Sequence, residues 1–543
     1  MKLVELFQRD ANILRLRFLV LAAISGVANA AVLAVINVAA RNVTNQDANL
    51  RNLLLFGLAI GIFVLTQKRL MVEVCEQVEE MIHRLRVRLL DRARHAEFLD
   101  IEEIGRSEIY AGISRETQIL SQAAPNIVIG VQSAVLVLFT MTYMLALSTT
   151  AFVLSAVFTA LGAAIHMSRS GEVKQHLRDA YTRENELVEG FNDMLDGFKE
   201  VKMSSARSQE IAERVRQVSA DVAKLKIRTQ TLYATDFVTS QVTFFLLTGI
   251  MVFVVPSVSP TYVEVVVMTT TASLFMIGPV SNVVGSLPIF ASANSAAEAV
   301  LALEDKLSTI DVERDGTDAS PDRFRDFRRI VLRGLRFCHR APSGDLAFGV
   351  GPIDLTIERG RVVFITGGNG SGKTTFVRLL IGLYPAAEGG LFVDDTPIGP
   401  ANLPAYRNLF SVIFSDNHLF AELYGTPEVD QAEAEALFDL LEMSHKSSLR
   451  GRRFSTVKLS GGQRKRLALI ASVLEKRPIC VFDEWAADQD PHFREKFYHV
   501  ILPRLRAAGV TVLAITHDDK YFDAADVHLH MEDGQLGIVK ATV

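Results

Sequence analysis

Residues 367–375, Gly-Gly-Asn-Gly-Ser-Gly-Lys-Thr-Thr, put backbone freedom, one ammonium and several hydroxyls into a single short stretch. An apolar run, 362–365, precedes it, and a helix-like segment, 376–381, follows. Strand, Gly-rich turn and helix in that order is the setting a phosphate-binding loop requires. A side chain would block the main chain from wrapping an anion. Gly368, Asn369, Gly370, Ser371 and Gly372 can therefore turn free N–H groups, and the positive end of a helix, towards phosphates. Lys373 is spaced to reach β- and γ-phosphates, Thr374 can give its hydroxyl to Mg²⁺, and Thr375 extends the same cradle. The chemistry expected of this stretch is nucleoside triphosphate binding.

Three later stretches carry charge or an anion site. The apolar run 479–482 ends in Asp483-Glu484. This is a Walker B pattern, in which Asp483 can hold Mg²⁺ and Glu484 can polarise an attacking water. Four apolar residues before two acids also describe an ordinary passage from strand to loop. Leu459-Ser460-Gly461-Gly462-Gln463 opens the helical run 464–474. Ser460 and the glycine amides form a second anion site there, against the plain reading of a helix cap. His517 follows the apolar run 511–515 and can contact a γ-phosphate. A lone His at a strand end is usually structural, and its order after the other motifs favours the functional reading.

The elements that position these residues divide the chain in two. Its 543 residues are enough for several domains. A 49% hydrophobic and 22% charged composition leans towards a protein partly embedded in lipid. The net charge of -5 argues weakly against nucleic acid as a partner. Cys75, Cys338 and Cys480 are scattered without metal-like spacing, which disfavours a disulfide framework.

Apolar runs near 18–40, 53–66, 127–147, 151–167, 237–255 and 263–284 read as six membrane spans. The first follows Lys2, Arg9, Arg15 and Arg17. It is too long for the apolar core of a signal peptide, despite a faint cleavage-like Ala28-Asn29-Ala30. Lys and Arg crowd the N-terminus and the segments after the second and fourth spans, while the opposite loops hold only Arg41 and Arg51, with none in 256–262. Both termini are therefore expected in the cytoplasm.

Segments 67–116 and 169–228 are charged yet carry apolar residues at helical spacing, such as Leu85, Leu89 and Leu90. They read as membrane helices continuing inward as amphipathic rods. Phe98-Leu99-Asp100-Ile101 and Met194-Leu195-Asp196-Gly197-Phe198 mark turns, either docking surfaces or plain helix packing. Asn29, Asn37, Gln132, Gln241 and Asn282 lie within spans and can line a polar cavity or bond helix to helix. No dense acid–base relay points to a proton-driven carrier. The expected division is a membrane domain at 1–306, a linker at 307–329 containing Pro321, and an α/β domain at 330–543.

The order GGNGSGKTT, LSGGQ, ICVFDE and THD resembles the nucleotide-binding domain of ATP-binding cassette (ABC) proteins. With six spans ahead of it, the whole chain resembles an ABC exporter half-transporter. That resemblance implies ATP and Mg²⁺ as cofactors. It also implies a homodimer, in which ATP lies between the P-loop of one cassette and Ser460, Gly461, Gly462 and Gln463 of the other. Ser415 stands where the family has its Q-loop glutamine, a metal contact, and His339 where an aromatic stacks on adenine. Residues 454–458 replace a glutamate-containing loop common before the signature. Trp485-Ala486-Ala487-Asp488-Gln489-Asp490-Pro491 replaces the usual Ser-Ala-Leu-Asp turn. The DEWAADQDP segment, the run 463–470 and Phe414-Ser415-Asp416 together resemble the cyclic-peptide exporters, which include transporters of siderophore-peptide precursors, lipopeptide toxins and a lasso microcin.

The expected function is ATP-driven export of such a peptide across the bacterial inner membrane by alternating access, with membrane lipid around the spans. A multidrug or lipid exporter is the nearest alternative. A membrane-anchored ATPase acting as a sensor without transport is the alternative of another class. Importers, whose parts usually come as separate chains, and exporters with an N-terminal protease are disfavoured.

Overall fold

A computed structural model describes residues 2–10, 16–43, 50–258, 265–309, 320, 322–340, 346–416, 418–426 and 428–541. Residues 310–319 of the expected linker, its Pro321, Arg41 of one outer loop, residues 259–262 of another and Asn417 lie outside the described residues or their described side chains. The chain forms two compact units. One comprises Met1–Asp91 with Arg106–Leu307, and the other Arg92–Gly105 with Ser308–Val543.

The first unit is helical. It contains α1 (Lys2–Asp10), α2 (Leu16–Val43) and most of α3 (Leu50–His95); α4 (Phe98–Ile104) follows in the chain but groups with the second unit. Then come α5 (Arg106–Tyr110), a π-helical turn (Ala111–Glu116), α6 (Thr117–Leu147), α7 (Thr149–Asp196), α8 (Phe198–Met203) and α9 (Ser205–Gly249). A second π turn (Ile250–Val254), α10 (Val255–Val258) and α11 (Val266–Thr309) complete it. Among the described residues six helical segments are long and apolar enough to cross a membrane, and each contains or overlaps one expected span.

Helices α3, α7 and α9 run for 46, 48 and 45 residues. At 1.5 Å per residue each is about 70 Å long, more than twice a hydrocarbon core of about 30 Å. The rods expected from sequence are thus continuous helices. A side-chain cap starts α9 where its rod turns: Ser204 accepts a hydrogen bond from the Arg207 N–H. Lys226–Glu184 and Arg228–Glu172 pair the rods α7 and α9 at 2.7 and 3.1 Å. Both pairs are exposed and contribute little stability.

The second unit is α/β. Its strands are β1 (Arg329–Arg340), β2 (Leu346–Glu358), β3 (Val362–Gly367), β4 (Glu388–Val393), β5 (Thr396–Pro397) and β6 (Phe410–Ile413), with α12 (Lys373–Leu380) and α13 (Leu403–Arg407) between them. There follow α14 (Gln431–Leu440), β7 (Leu449–Arg450), β8 (Arg453–Phe454), α15 (Gly461–Leu474) and β9 (Ile479–Asp483). The chain ends with α16 (Pro491–Lys496), α17 (Leu502–Ala507), β10 (Thr511–Ile515), β11 (Val527–Glu532) and β12 (Gln535–Ala541). The main sheet runs β12-β11-β3-β10-β9-β6, beside an antiparallel sheet β2-β1-β4-β5.

Strands β9 and β10 are wholly buried, which is why their sequences are continuous apolar runs. Alternate residues of β3 feed two cores. Val363 and Ile365 join Phe376, Leu513 and Leu529 on one face, and Val362 and Phe364 join Phe482, Trp485 and Phe497 on the other.

The first turn docks. Phe98 and Leu99 of α4 pack on the core around Phe376, and Phe98 lies 6.1 Å from the Tyr384 ring. Glu102 accepts from the Tyr384 hydroxyl at 3.0 Å and from Arg378 at 3.3 Å. At the second turn, Leu195, Phe198 and Met203 are exposed.

Candidate functional site

The parallel strands β3, β9 and β10 end side by side, with Ile365 and Asp483 both opposite Ile515. Such carboxyl ends are where open α/β sheets bind ligands. The loop after β3 turns into α12 through Gly370 and Gly372, at φ 78° and 102°. At Gly367, φ 144°, an added Cβ would lie 2.1 Å from the Met531 carbonyl oxygen, so only glycine lets β3 and β11 close here. Gly368, Asn369 and Gly370 are exposed, and Thr375 is half-buried on the first turn of α12. The Ser371 hydroxyl is buried without a hydrogen-bond partner. Lys373 is buried, and its Nζ donates to the carbonyls of Gly367 and Gly368 at 3.0 and 2.9 Å. An orphaned hydroxyl and an ammonium held over the loop are groups that a polyphosphate satisfies.

Thr374 and Asp483, 109 residues apart, meet here: Thr374 Oγ1 donates to the Asp483 carboxylate at 3.3 Å. Asp483 is 1% exposed. Burial pushes its carboxyl above the usual range, and the neighbouring charge of Glu484 pushes the same way, against hydrogen bonds from Thr374 and the Ser415 backbone N–H. The structure therefore brings Ser415 to this carboxylate through its main chain. One buried carboxylate and one hydroxyl suit Mg²⁺, which takes few protein ligands beside phosphate oxygens. Among the described residues no group of three or more His, Cys, Asp or Glu is arranged to hold a metal ion.

Glu484 and His517 also come together, with His517 Nε2 3.3 Å from Glu484 Oε1 and both side chains solvent-accessible. His339 lies edge-on to Phe337 at 4.8 Å and to Tyr384 at 5.5 Å. Its cross-strand neighbour Phe348 reaches the loop: an added Cβ on Gly372 would stand 3.1 Å from that ring. Sequence reasoning missed Phe348, because the pattern of its strand does not say that it will face the P-loop. Ser460 caps α15, and its N–H donates to Gln463 Oε1 at 3.4 Å. Ser460 and Gly461 are exposed, with Gly462 and Gln463 half-buried behind them. Among the described residues no hydrogen bond joins 460–463 to the P-loop.

Among the described residues of the helical unit, two cavities stand out. Asn29, Gln132 and Asn282 line one of about 500 Å³, together with Ser25, Gln67 and Ser133. Gln67 and Gln132 exchange hydrogen bonds at 2.9 and 2.7 Å. Asn37 instead bridges helices, donating to the Tyr143 hydroxyl and the Met268 carbonyl at 3.3 and 3.4 Å, and Gln241 lines neither cavity. The other, of about 420 Å³, is walled by Val137, Phe244, Val283 and Leu287. At its edge the buried Asp236 pairs with Arg169 at 2.9 Å and His166 at 3.1 Å, a small charged cluster not legible in the sequence.

Comparison with known proteins agrees with this geometry. Residues 350–487, from β2 to just past Glu484, match the ABC transporter family. The chain is 31% identical over 526 residues to ATP-binding protein SyrD of Pseudomonas syringae pv. syringae, covering 94% of this chain and 91% of that protein. It is 30% identical over 255 residues to an ATP-dependent lipid A-core flippase of Bordetella avium, across 44% of this chain and 41% of the flippase. The lipoprotein-releasing system ATP-binding protein LolD of Porphyromonas gingivalis is 30% identical over 201 residues, which are 34% of this chain but 90% of LolD. Six candidate membrane helices followed by an ATP-binding α/β unit, matched nearly end to end by one relative, mean that the chain belongs to the ABC transporter family, as a multi-pass exporter half-transporter with a cytoplasmic ATPase cassette.

Proposed function

We propose that the protein exports a cyclic peptide, or a siderophore- or lipopeptide-type peptide, across the bacterial inner membrane as a homodimer. The observation that carries the peptide reading is the cavity of about 500 Å³ whose uncharged amides, Asn29, Gln67, Gln132 and Asn282, match the donors and acceptors of peptide bonds. The division into a membrane domain at 1–306, a linker at 307–329 and a cassette at 330–543 is retained within this reading.

In the cassette, Lys373 would exchange its bonds to the Gly367 and Gly368 carbonyls for phosphate oxygens, and the loop amides would hold the remaining oxygens. Thr374 and Asp483 would hold Mg²⁺ with Ser415 beside them, the ion supplying charge neutralisation at the transferred phosphate. Glu484 would orient and deprotonate water, with His517 on its carboxylate and facing the γ-phosphate, while His339 would contact adenine. The exposed Ser460 and Gly461, with Gly462 and Gln463, would meet the nucleotide of the second copy. ATP drives the cycle only if it binds the closed pair of cassettes more tightly than the open pair.

The test is ATPase activity of the full chain in lipid nanodiscs against cyclic peptides, linear peptides and hydrophobic drugs, with Glu484→Gln alongside. Stimulation by cyclic peptides, with Glu484→Gln binding ATP but turning over about 10²–10⁴-fold more slowly, is the expected result. The apolar cavity of about 420 Å³ favours a second reading, a multidrug or lipid exporter, and stimulation by drugs or lipids alone would select it. Hydrolysis indifferent to every compound would leave the sensor reading in place of transport.

A further inference from the structure

Glu484 has φ 52°, a left-handed conformation that side chains other than Gly and Asn seldom adopt. Backbone in such a region persists only when its surroundings over-determine it. Here the Glu484 N–H donates to the Ile515 carbonyl at 3.2 Å, and the Glu484 carbonyl accepts from Ala487 N–H at 3.3 Å and from Lys465 Nζ at 2.9 Å. Lys465 lies on the first turns of α15, and its side chain is 5% exposed. Its other partner is the Asp488 carboxylate at 2.8 Å.

The contact runs both ways. The Trp485 indole N–H donates to the Lys465 carbonyl at 2.8 Å, while the ring stacks on Phe497 at 4.7 Å. Gln489 Nε2 donates to the Gly462 carbonyl at 3.1 Å, and Arg466 Nε donates to Gln489 Oε1 at 2.9 Å. An added Cβ on Gly462 would stand 2.8 Å from the Asp488 carbonyl oxygen, so residue 462 must be small for 485–490 to pass. The two stretches that set this sequence apart, Gln463-Arg464-Lys465-Arg466 and the segment from Trp485 to Asp490, are halves of one interlocked unit.

We propose that Lys465 is a positioning residue for hydrolysis: it holds Glu484 in the left-handed conformation that aims its carboxylate, and ties that aim to the start of α15. The inference rests on the reading of Glu484 as the group that activates water. Because Lys465 follows Gly461 and Gly462 on the same helix, seating of one chain's signature on the nucleotide of a second copy is transmitted to the first chain's own Glu484. The link needs no bond through the P-loop.

The test is Lys465→Met in the full chain in nanodiscs, with ATP as the only probe. Expected are a fall in kcat of about 10-fold or more, since small misplacements of a reacting group are costly, a KM for ATP within about 2-fold of the parent, and a lower Hill coefficient. Lys465→Arg, which keeps the donor and the charge, should recover part of kcat. Should the Met variant fold poorly, Trp485→Phe removes the indole N–H, keeps the ring on Phe497 and should give the same split. Adding Lys465→Met to Glu484→Gln should cost nothing further if Lys465 acts through Glu484. Parental kcat in Lys465→Met, or losses that multiply in the double variant, would overturn the proposal while leaving Glu484 in its role. Parental turnover in Glu484→Gln would instead remove the reading on which it rests.

Discussion

Replacing Asp483 with Asn removes a buried charge while changing almost nothing in shape, and the structure argues that stability and ligand response should then move in opposite directions. Asp483 is 1% exposed and is answered by the Thr374 hydroxyl and the Ser415 N–H, with no cation in direct contact among the described residues. An uncompensated buried charge costs several kcal/mol, and the charge-assisted hydrogen bonds return about 1.5–3 kcal/mol each. The Asn variant keeps one acceptor oxygen, so its net gain should be about 1 kcal/mol. For a cassette of this size that is a rise in Tm of about 3 °C.

The pH dependence has a definite sign. A carboxyl whose folded pKa is raised favours folding in its protonated form, and that advantage is lost as pH rises through the folded value. The excess stability of Asp483→Asn should therefore be full above the raised pKa and shrink as pH falls through it. Mg²⁺ with a non-hydrolysable ATP analogue at about 100 times its Kd adds about 2.7 kcal/mol to the parent, or about 8 °C. The variant, without the carboxylate that would hold the ion, should gain less than about 3 °C. Thermal unfolding of both proteins in nanodiscs, with Mg²⁺ or with chelator, measures all four states. A variant less stable than the parent without nucleotide, or one that keeps the full Mg²⁺-dependent rise, would refute the argument.

Lys373→Ala removes an ammonium that two carbonyls hold over the P-loop and should weaken ATP binding about 10–100-fold; a fluorescent ATP analogue titrated to saturation measures it, and unchanged affinity would remove the phosphate role. Glu102→Ala deletes the acceptor that joins α4 to Tyr384 and Arg378. Basal ATPase should stay within about 2-fold while stimulation by cyclic peptide falls several-fold, and equal loss of both would reduce the docked turn to a support for the cassette fold.

Some of this protein was open to reading without coordinates because its signals are local. The P-loop is one contiguous turn in which glycine spacing, the following lysine and the flanking strand and helix are all set by neighbours in sequence. The spans declare themselves because hydrocarbon requires a long apolar run within a single helix. The rods were legible too, since helical spacing continues past the lipid: Leu85 and Leu89 are buried, although Leu90, taken with them, is exposed.

Partners across long separations were not legible, because periodicity says which face of an element is apolar and never what will cover it. Five polar residues in the spans looked alike, yet three line one cavity and Asn37 bonds helix to helix. Asp236 is joined to His166 and Arg169 across 70 and 67 residues, an arrangement decided by how α7 and α9 pack. Phe98 and Glu102 sit far upstream of the cassette, and only folding delivers them to Tyr384.

By itself the sequence determined an ATP-binding α/β cassette behind six spans, because backbone freedom at glycines and apolar length act over a few residues or one helix. The tertiary structure alone decided that Thr374 meets Asp483, that Lys465 holds the Glu484 backbone, and which amides face a common cavity. Each of those pairings is a small energy difference among many possible contacts, settled by close packing of whole elements against one another.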